Sequence, residues 1–295
     1  MRRVIGIKAP AKVNLYLDIT GRRSDGYHLL ETVMQSVSLY DEVTVEYSEG
    51  GAGMITVECD RAEIPSDERN IAYKAARLIM QRSGGRADIA IKIKKRIPSG
   101  AGMAGGSTDA AAVIAGLGEC VELPQSVLYE IAEQTGADVP FCLRGGTAVC
   151  RGIGEEITQA QALENCAFLV VKPQFSCPTG EAYAKYDTAP LAARGGLDGF
   201  IAQMRRGVFS GMYNVFRELY SDPRIENLIK SLEAGGALGA MLSGSGSAVF
   251  GVFPDEKAAV NCAAQFGGLF TAVCRPCEGL LLEKNAIPQK GQGYD

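Results

Sequence analysis

The segment Pro98 to Gly106 reads PSGAGMAGG, and it constrains this chain more than any other stretch. It follows a strictly alternating run, Ala87 to Lys95, in which Ile89, Ile91 and Ile93 face one way and Lys92 and Lys94 the other. It precedes the apolar run Ala110 to Leu117, with Ser107, Thr108 and Asp109 placed as N-caps are placed before a helix. Clustered glycines allow positive φ and let successive backbone N–H groups converge on one point without a Cβ in the way. A helix behind them adds about half a positive charge at its N-terminus. The spacing therefore predicts a strand, a phosphate-cradling loop and a helix in succession.

Gly100, Gly102 and Gly105 satisfy G-x-G-x-x-G, which raises a dinucleotide-binding reading. That motif belongs after the first strand of a parallel sheet, whereas here several strands come first and the residues around Glu122 form no clear second strand. A P-loop is excluded because the chain has no Gly-Lys dipeptide, and the protein-kinase signatures H-R-D and D-F-G are absent. A phosphotransferase built on this loop belongs to another lineage.

The 295 residues suit two domains. Period-two runs predict strands at Val4 to Ile7, Val13 to Ile19, Glu42 to Tyr47 and Ile55 to Cys59. Asn70 to Arg82 puts Ala72, Ala75, Ala76 and Ile79 on one helical face, with Gly84 and Gly85 as the stop. A helix at Ser126 to Gln134 and a glycine-punctuated strand pair at Gly145 to Ile157 lead to a boundary near Gln159. Beyond it, strands at Phe168 to Lys172, Leu238 to Leu242, Ala248 to Phe253 and Phe270 to Cys274, with helices between Thr179 and Ala234 and at Asp255 to Phe266, predict a second unit. The expected class is α+β, with domains at 1–159 and 160–287 and a solvated tail at 288–295.

With 46% hydrophobic and 22% charged residues the chain can bury a core, and its net charge of −4 argues against a nucleic-acid partner. Nine cysteines, an odd number scattered through apolar stretches, suggest a reducing, cytoplasmic setting rather than a disulfide framework. Cys274 and Cys277 form a lone C-x-x-C, far in sequence from the single histidine, His28, and read as ordinary thiols rather than zinc ligands. Lys8, Pro10 and Lys12 interrupt any signal-peptide core, and runs such as Ala110 to Gly118 fall short of the roughly 18 residues of a membrane span.

Two further segments frame the glycine loop. PAKVNLYL, from Pro10, sets Lys12 and Asn14 in an otherwise apolar strand, and LSGSGSAVFG, from Leu242, places a second glycine turn between apolar strands. Together with PSGAGMAGGSTDAA these resemble, in order and spacing, the three motifs of the GHMP small-molecule kinases. TGRRSDGYHLLETVMQ from Thr20, GADVPFCLRGGTA from Gly136 and SGSGSAVFG from Ser243 narrow the resemblance to the branch whose alcohol substrate is a cytidine diphosphate-linked methylerythritol. The resemblance spans nearly the whole chain and is thinnest between Asp187 and Arg224.

The resemblance implies an N-terminal ribosomal-S5-like domain and a ferredoxin-like C-terminal domain, with the active site in the cleft between them. ATP would lie along Pro98, Ser99, Gly100, Ala101, Gly102, Met103, Ala104, Gly105, Gly106, Ser107 and Thr108, with adenine towards Lys95, Asn70 and Ile71. Three residues depart from the family's usual loop, Met103, Ala104 and Thr108. A Cβ at positive φ costs on the order of 1 kcal/mol, so an ordinary φ is expected at Ala104.

Taken alone, Asp138 reads as a helix N-cap and Lys12 as a strand lysine whose head reaches solvent. The resemblance makes them catalytic, the aspartate facing the substrate hydroxyl as base or orienting acceptor and the lysine beside it. Asn14 would position substrate, and Gly244 and Ser245 would line it. Tyr27 and His28, otherwise ordinary structural residues, would recognise cytosine, with Tyr183 on the other face of the base. Ser107 is the candidate hydroxyl for Mg²⁺, although capping explains its type equally well. Kinases of mevalonate, homoserine or a sugar, a non-catalytic nucleotide-binding module and a dinucleotide oxidoreductase are the competing readings.

Overall fold

The computed structural model describes residues 1–284, so the expected tail at 288–295 lies outside the described residues. The N-terminal half contains β1 (Arg2–Arg22), β2 (His28–Glu49), β3 (Ile55–Cys59), α1 (Ile71–Ser83), β4 (Ala87–Lys94), α2 (Gly105–Gly118), α3 (Gln125–Thr135), α4 (Val139–Arg144), β5 (Thr147–Arg151) and β6 (Glu156–Gln159). There follow β7 (Ala167–Lys172), α5 (Thr179–Thr188), α6 (Leu197–Met204), β8 (Tyr213–Asn214), α7 (Val215–Tyr220), α8 (Pro223–Ala234), β9 (Gly239–Leu242), β10 (Val249–Phe253), α9 (Glu256–Ala263), β11 (Phe270–Cys274) and β12 (Leu281–Lys284).

Where two strands were expected, at Val4 to Ile7 and Val13 to Ile19, a single long β1 runs through both. It pairs with β2 along nearly its whole length, with register shifts between Pro10 and Ala11, between Asn14 and Tyr16, and between Ile19 and Gly21. Such bulges bend a strand and re-aim its side chains. They explain why period-two reading broke the strand: Ile5, Ile7 and Ala9 join the core beneath α1 and α2, whereas Ala11, Val13, Leu15 and Leu17 join the core of the C-terminal half. Buried on both faces in that second stretch, β1 loses its alternation.

The first sheet has the order β12-β1-β2-β4-β3, with β5 on β2, β6 on β5 and β8 on β1. The second sheet is antiparallel with the order β11-β7-β10-β9. Numbered within its own unit that order is 4-1-3-2, with helical crossovers after its first and third strands, as in a ferredoxin-like fold. The expected segregation of 160–287 needs correction in two places. Leu281–Lys284 returns to pair with β1, and Tyr213–Asn214 adds beside Tyr16 and Leu17.

Candidate active site

β4 ends at Lys94, and Lys95 behind it is almost fully buried. Its ammonium meets the carboxylates of Asp41, on β2, and Asp109, on α2, the latter at 2.6 Å, and donates to the Gly105 carbonyl at 3.2 Å. Asp41 also accepts the backbone N–H groups of Arg96 and Ile97, at 2.5 and 2.9 Å. This ion cluster fixes where the glycine loop leaves the sheet and where α2 begins. Burial pulls the Lys95 pKa down, but Asp109 and Asp41 outweigh it and hold the lysine above its ordinary value. Burial pushes the Asp109 carboxyl up to about 8, with the neighbouring Asp41 adding to the rise and Lys95 opposing it, and among the described residues its Oδ1 has no hydrogen-bond partner.

The loop between these anchors differs from expectation at two points. Ala104 has φ +57°, left-handed rather than ordinary, because the chain must reverse there to enter α2. The helix begins at Gly105, so Ser107, Thr108 and Asp109 sit inside it and do not cap it. The Thr108 side chain is buried and does not line the cleft, while Ser107 is half-buried on its wall.

Gly102, at φ +71°, packs on the second glycine turn, and a Cβ there would overlap the Ser243 carbonyl oxygen and stand 2.9 Å from the Gly246 nitrogen. Ser243 Oγ donates to the Gly102 carbonyl at 2.9 Å, and the Ser247 and Ala248 N–H groups donate to Gly100 and Ala101. Asn214, fully buried, donates from Nδ2 to the carbonyls of Leu242 and Gly244, both at 2.8 Å, while its Oδ1 caps α7. No motif signals that role, since Asn214 lies in the stretch with the thinnest motif content.

A cleft of about 580 Å³ opens between these loops and β1. Its walls include Asn70 and Ile71, the loop from Pro98 to Ser107, Tyr183, and Gly244 with Ser245. Asn70 holds its place by capping α1 through Ala72 N–H and by donating to the Pro65 carbonyl. Ile64, Pro65 and Arg69, from an irregular segment, Thr179, the first residue of α5, and Phe216, on the short α7, also line the cleft and carry no motif of their own.

Lys12 and Asn14, two residues apart, share one face of β1 between its bulges. Lys12 is 4% exposed and donates to Asn14 Oδ1 at 2.7 Å. Asn14 Nδ2 donates to Thr32 Oγ1 at 2.9 Å, and Thr32 to the Tyr16 carbonyl at 2.6 Å. Asp138 stands at the N-cap position of α4, yet its side chain makes no capping bond; its Oδ2 lies 3.6 Å from Lys12 Nζ, with a third of the side chain exposed to the cleft. A buried ammonium, a half-open carboxylate and the glycine loop thus line one space. Such a set can hold a polyanion and receive a proton from a hydroxyl.

The aromatic residues arrange themselves differently from the expected sandwich. Tyr183 is stacked on His28, at 4.8 Å between ring centres, and meets Phe216 edge-on. Tyr27 is 58% exposed and, like His28, is not on the cleft wall. The hairpin turn between β1 and β2 directs Tyr27 outward and turns the next side chain, His28, back onto α5. Burial raises the Tyr183 hydroxyl pKa.

All nine cysteines are free, Cys274 and Cys277 among them. Among the described residues no cluster of three or more His, Cys, Asp or Glu side chains is placed to hold a metal. No described helix is long and apolar enough to cross a membrane.

This fold around this cleft is that of the GHMP kinases. Residues 70–146 match the GHMP kinases N terminal domain and residues 197–270 the GHMP kinases C terminal domain. A 4-diphosphocytidyl-2-C-methyl-D-erythritol kinase of Clostridium botulinum is 40% identical over 266 residues, 88% of this chain and 94% of the relative. A crystal structure of 4-(cytidine 5'-diphospho)-2C-methyl-D-erythritol kinase superposes with TM-score 0.75 at 31% identity, over 93% of this chain and 99% of that one. A homoserine kinase from Cytophaga hutchinsonii superposes with TM-score 0.78 at 19% identity, over 96% and 98%, and shares the fold alone. The chain belongs to the family of 4-diphosphocytidyl-2-C-methyl-D-erythritol kinases.

Proposed function

We propose that this kinase transfers the γ-phosphoryl group of ATP to the 2-hydroxyl of 4-diphosphocytidyl-2-C-methyl-D-erythritol, in the cytoplasm, in the non-mevalonate route to isoprenoid precursors. The observation that carries the chemistry is the Lys12–Asp138 pair, 3.6 Å apart beneath the glycine loop. The family supplies the substrate.

Phosphoryl transfer needs mainly positioning and charge stabilisation, so direct in-line transfer requires no covalent enzyme intermediate. The backbone N–H groups of the loop and the start of α2 bind the phosphates. Asp138, free of any capping duty, orients the acceptor hydroxyl and takes its proton as the bond to phosphorus forms. Lys12, held by Asn14 and nearly dry, balances the charge that develops on the transferred group. The Ser107 hydroxyl on the wall suits a magnesium ion that arrives on the triphosphate, which such ions do with one or two protein ligands. When bound, Mg²⁺ supplies charge neutralisation between the phosphates.

The test is Asp138→Asn. It keeps the shape of the site and removes the proton acceptor, so kcat falls at least about a hundredfold while the KM for ATP changes little. Near-normal turnover removes Asp138 from the mechanism.

A further inference from the structure

Thr32 lies within β2 where the strand is paired on both sides, with Leu17 of β1 and with Cys150 of β5. Its side chain is fully buried and lies off the cleft wall. It nevertheless ends a chain of hydrogen bonds that begins at Lys12. Lys12 Nζ donates to Asn14 Oδ1 at 2.7 Å, Asn14 Nδ2 to Thr32 Oγ1 at 2.9 Å, and Thr32 Oγ1 to the Tyr16 carbonyl at 2.6 Å. Asn14 itself stands beside the register shift before Tyr16, where the β1–β2 ladder is interrupted. Its amide takes its bearing from these side-chain partners.

A hydroxyl has one proton to donate, and an ammonium has donors only. With its proton on the Tyr16 carbonyl, Thr32 can only accept from Asn14, so the amide turns its NH₂ toward β2. Its oxygen is then left facing Lys12, the arrangement that suits an ammonium. The reversed amide would set NH₂ against the ammonium and oxygen against a hydroxyl lone pair, two mismatches in a buried place where each unmade bond is costly. The contact that depends on this orientation is the firm one. Asn14 holds Lys12 Nζ at 2.7 Å, whereas Asp138 Oδ2 stands 3.6 Å away on a side chain that is one-third exposed.

We infer that Thr32 is a positioning residue for the phosphoryl transfer: its hydroxyl fixes which way the Asn14 amide points, and through that amide it holds the Lys12 ammonium at the space Lys12 shares with Asp138. The inference rests on the role proposed above for Lys12, and it adds a residue that lies off the cleft wall and acts through another side chain.

Thr32→Val keeps the shape of the side chain and removes the hydroxyl. Its kcat with 4-diphosphocytidyl-2-C-methyl-D-erythritol falls about tenfold, the rate equivalent of one buried hydrogen bond, while the KM for ATP stays within about twofold. Thr32→Ser, which keeps the hydroxyl, restores most of the rate. In an Asn14→Ala background, read by single-turnover rates, Thr32→Val costs nothing further, because no amide is left to orient. A readout that needs no substrate is the exchange of the Asn14 Nδ2 protons, followed by ¹H–¹⁵N NMR of the full chain and assigned by their absence from Asn14→Ala. They exchange slowly in the native protein and fast in Thr32→Val.

A folded Thr32→Val variant with native kcat overturns the inference, as does a Thr32→Ser variant no faster than Thr32→Val. An additive loss in the Asn14→Ala background overturns it too, since Thr32 would then act by another route. So does fast exchange of the Asn14 amide in the native protein, a result that holds even where Thr32→Val does not fold. A native protein that leaves the cytidine-bearing alcohol unphosphorylated counts against the proposed function, whereas the amide exchange tests Thr32 independently.

Discussion

Replacing Gly102 with alanine separates the two roles a glycine loop can have, building the fold and admitting a ligand. At φ +71° an alanine costs about 1 kcal/mol in backbone strain alone. The new Cβ also collides with the Ser243 carbonyl, which forces the two glycine turns apart. The bonds at risk are Ser243 Oγ to the Gly102 carbonyl, 2.9 Å, and Ala248 N–H to the Ala101 carbonyl, 3.2 Å. At about 1 kcal/mol each, their loss brings the total to about 3 kcal/mol. In a chain of this size that lowers Tm by about 6–12 °C. Gly106→Ala is the counterpart. Its Cβ meets nothing closer than Ile71 Cδ1 at 3.6 Å, and it lies inside α2 on the cleft wall. It adds up to about 1 kcal/mol of helix stability and raises the KM for ATP, because the methyl group projects where the phosphates bind. Differential scanning calorimetry and steady-state kinetics on both variants read the result. An unchanged Tm for Gly102→Ala, or an unchanged ATP KM for Gly106→Ala, refutes the assignment of that glycine.

The Asp109 carboxyl, raised to about 8 mainly by burial, binds a proton in the native state that the unfolded chain releases near pH 4, so its contribution to stability falls as pH rises between those values. Asp109→Asn imitates the protonated acid and flattens this slope in denaturant midpoints measured from pH 5 to 9; a variant with the native slope removes Asp109 as its source. Lys95→Met removes the cation shared by the buried Asp41 carboxylate and the Asp109 carboxyl and lowers stability by about 3–5 kcal/mol, read as a fall in the urea midpoint. Tyr183→Ala weakens the cytidine-bearing substrate about five- to a hundredfold by loss of a stacking ring, while Tyr183→Phe is nearly silent in the same assay.

Much of the fold was legible because its elements obey simple periods. Ile89, Ile91 and Ile93 marked β4, Ala72 to Ile79 marked α1, and the ferredoxin-like unit announced its four strands. The length of β1 is hidden from local alternation because its bulges move its side chains from one core to another. Lys12, Asn14, Asp138 and the glycine loop stood in recognisable motifs, and the structure brings them around one cleft. The left-handed Ala104 escaped because a residue type states a cost and not whether the surroundings meet it. Asp41 and Asn214 escaped for another reason: each acts through partners more than 25 residues away, and only the folded chain puts them in contact. Position in a motif named Tyr27 and Tyr183 as a pair, whereas the turn of the β1–β2 hairpin gives Tyr183 to His28.

A competition among acceptors tests the phosphoryl transfer directly. The purified protein is incubated with γ-labelled ATP and Mg²⁺ in the presence of 4-diphosphocytidyl-2-C-methyl-D-erythritol, mevalonate, homoserine and galactose, and the products are separated and their label located. Label is expected on the 2-oxygen of the cytidine-bearing alcohol and on no other acceptor. Label on mevalonate or homoserine, with the cytidine-bearing alcohol unmodified, contradicts it.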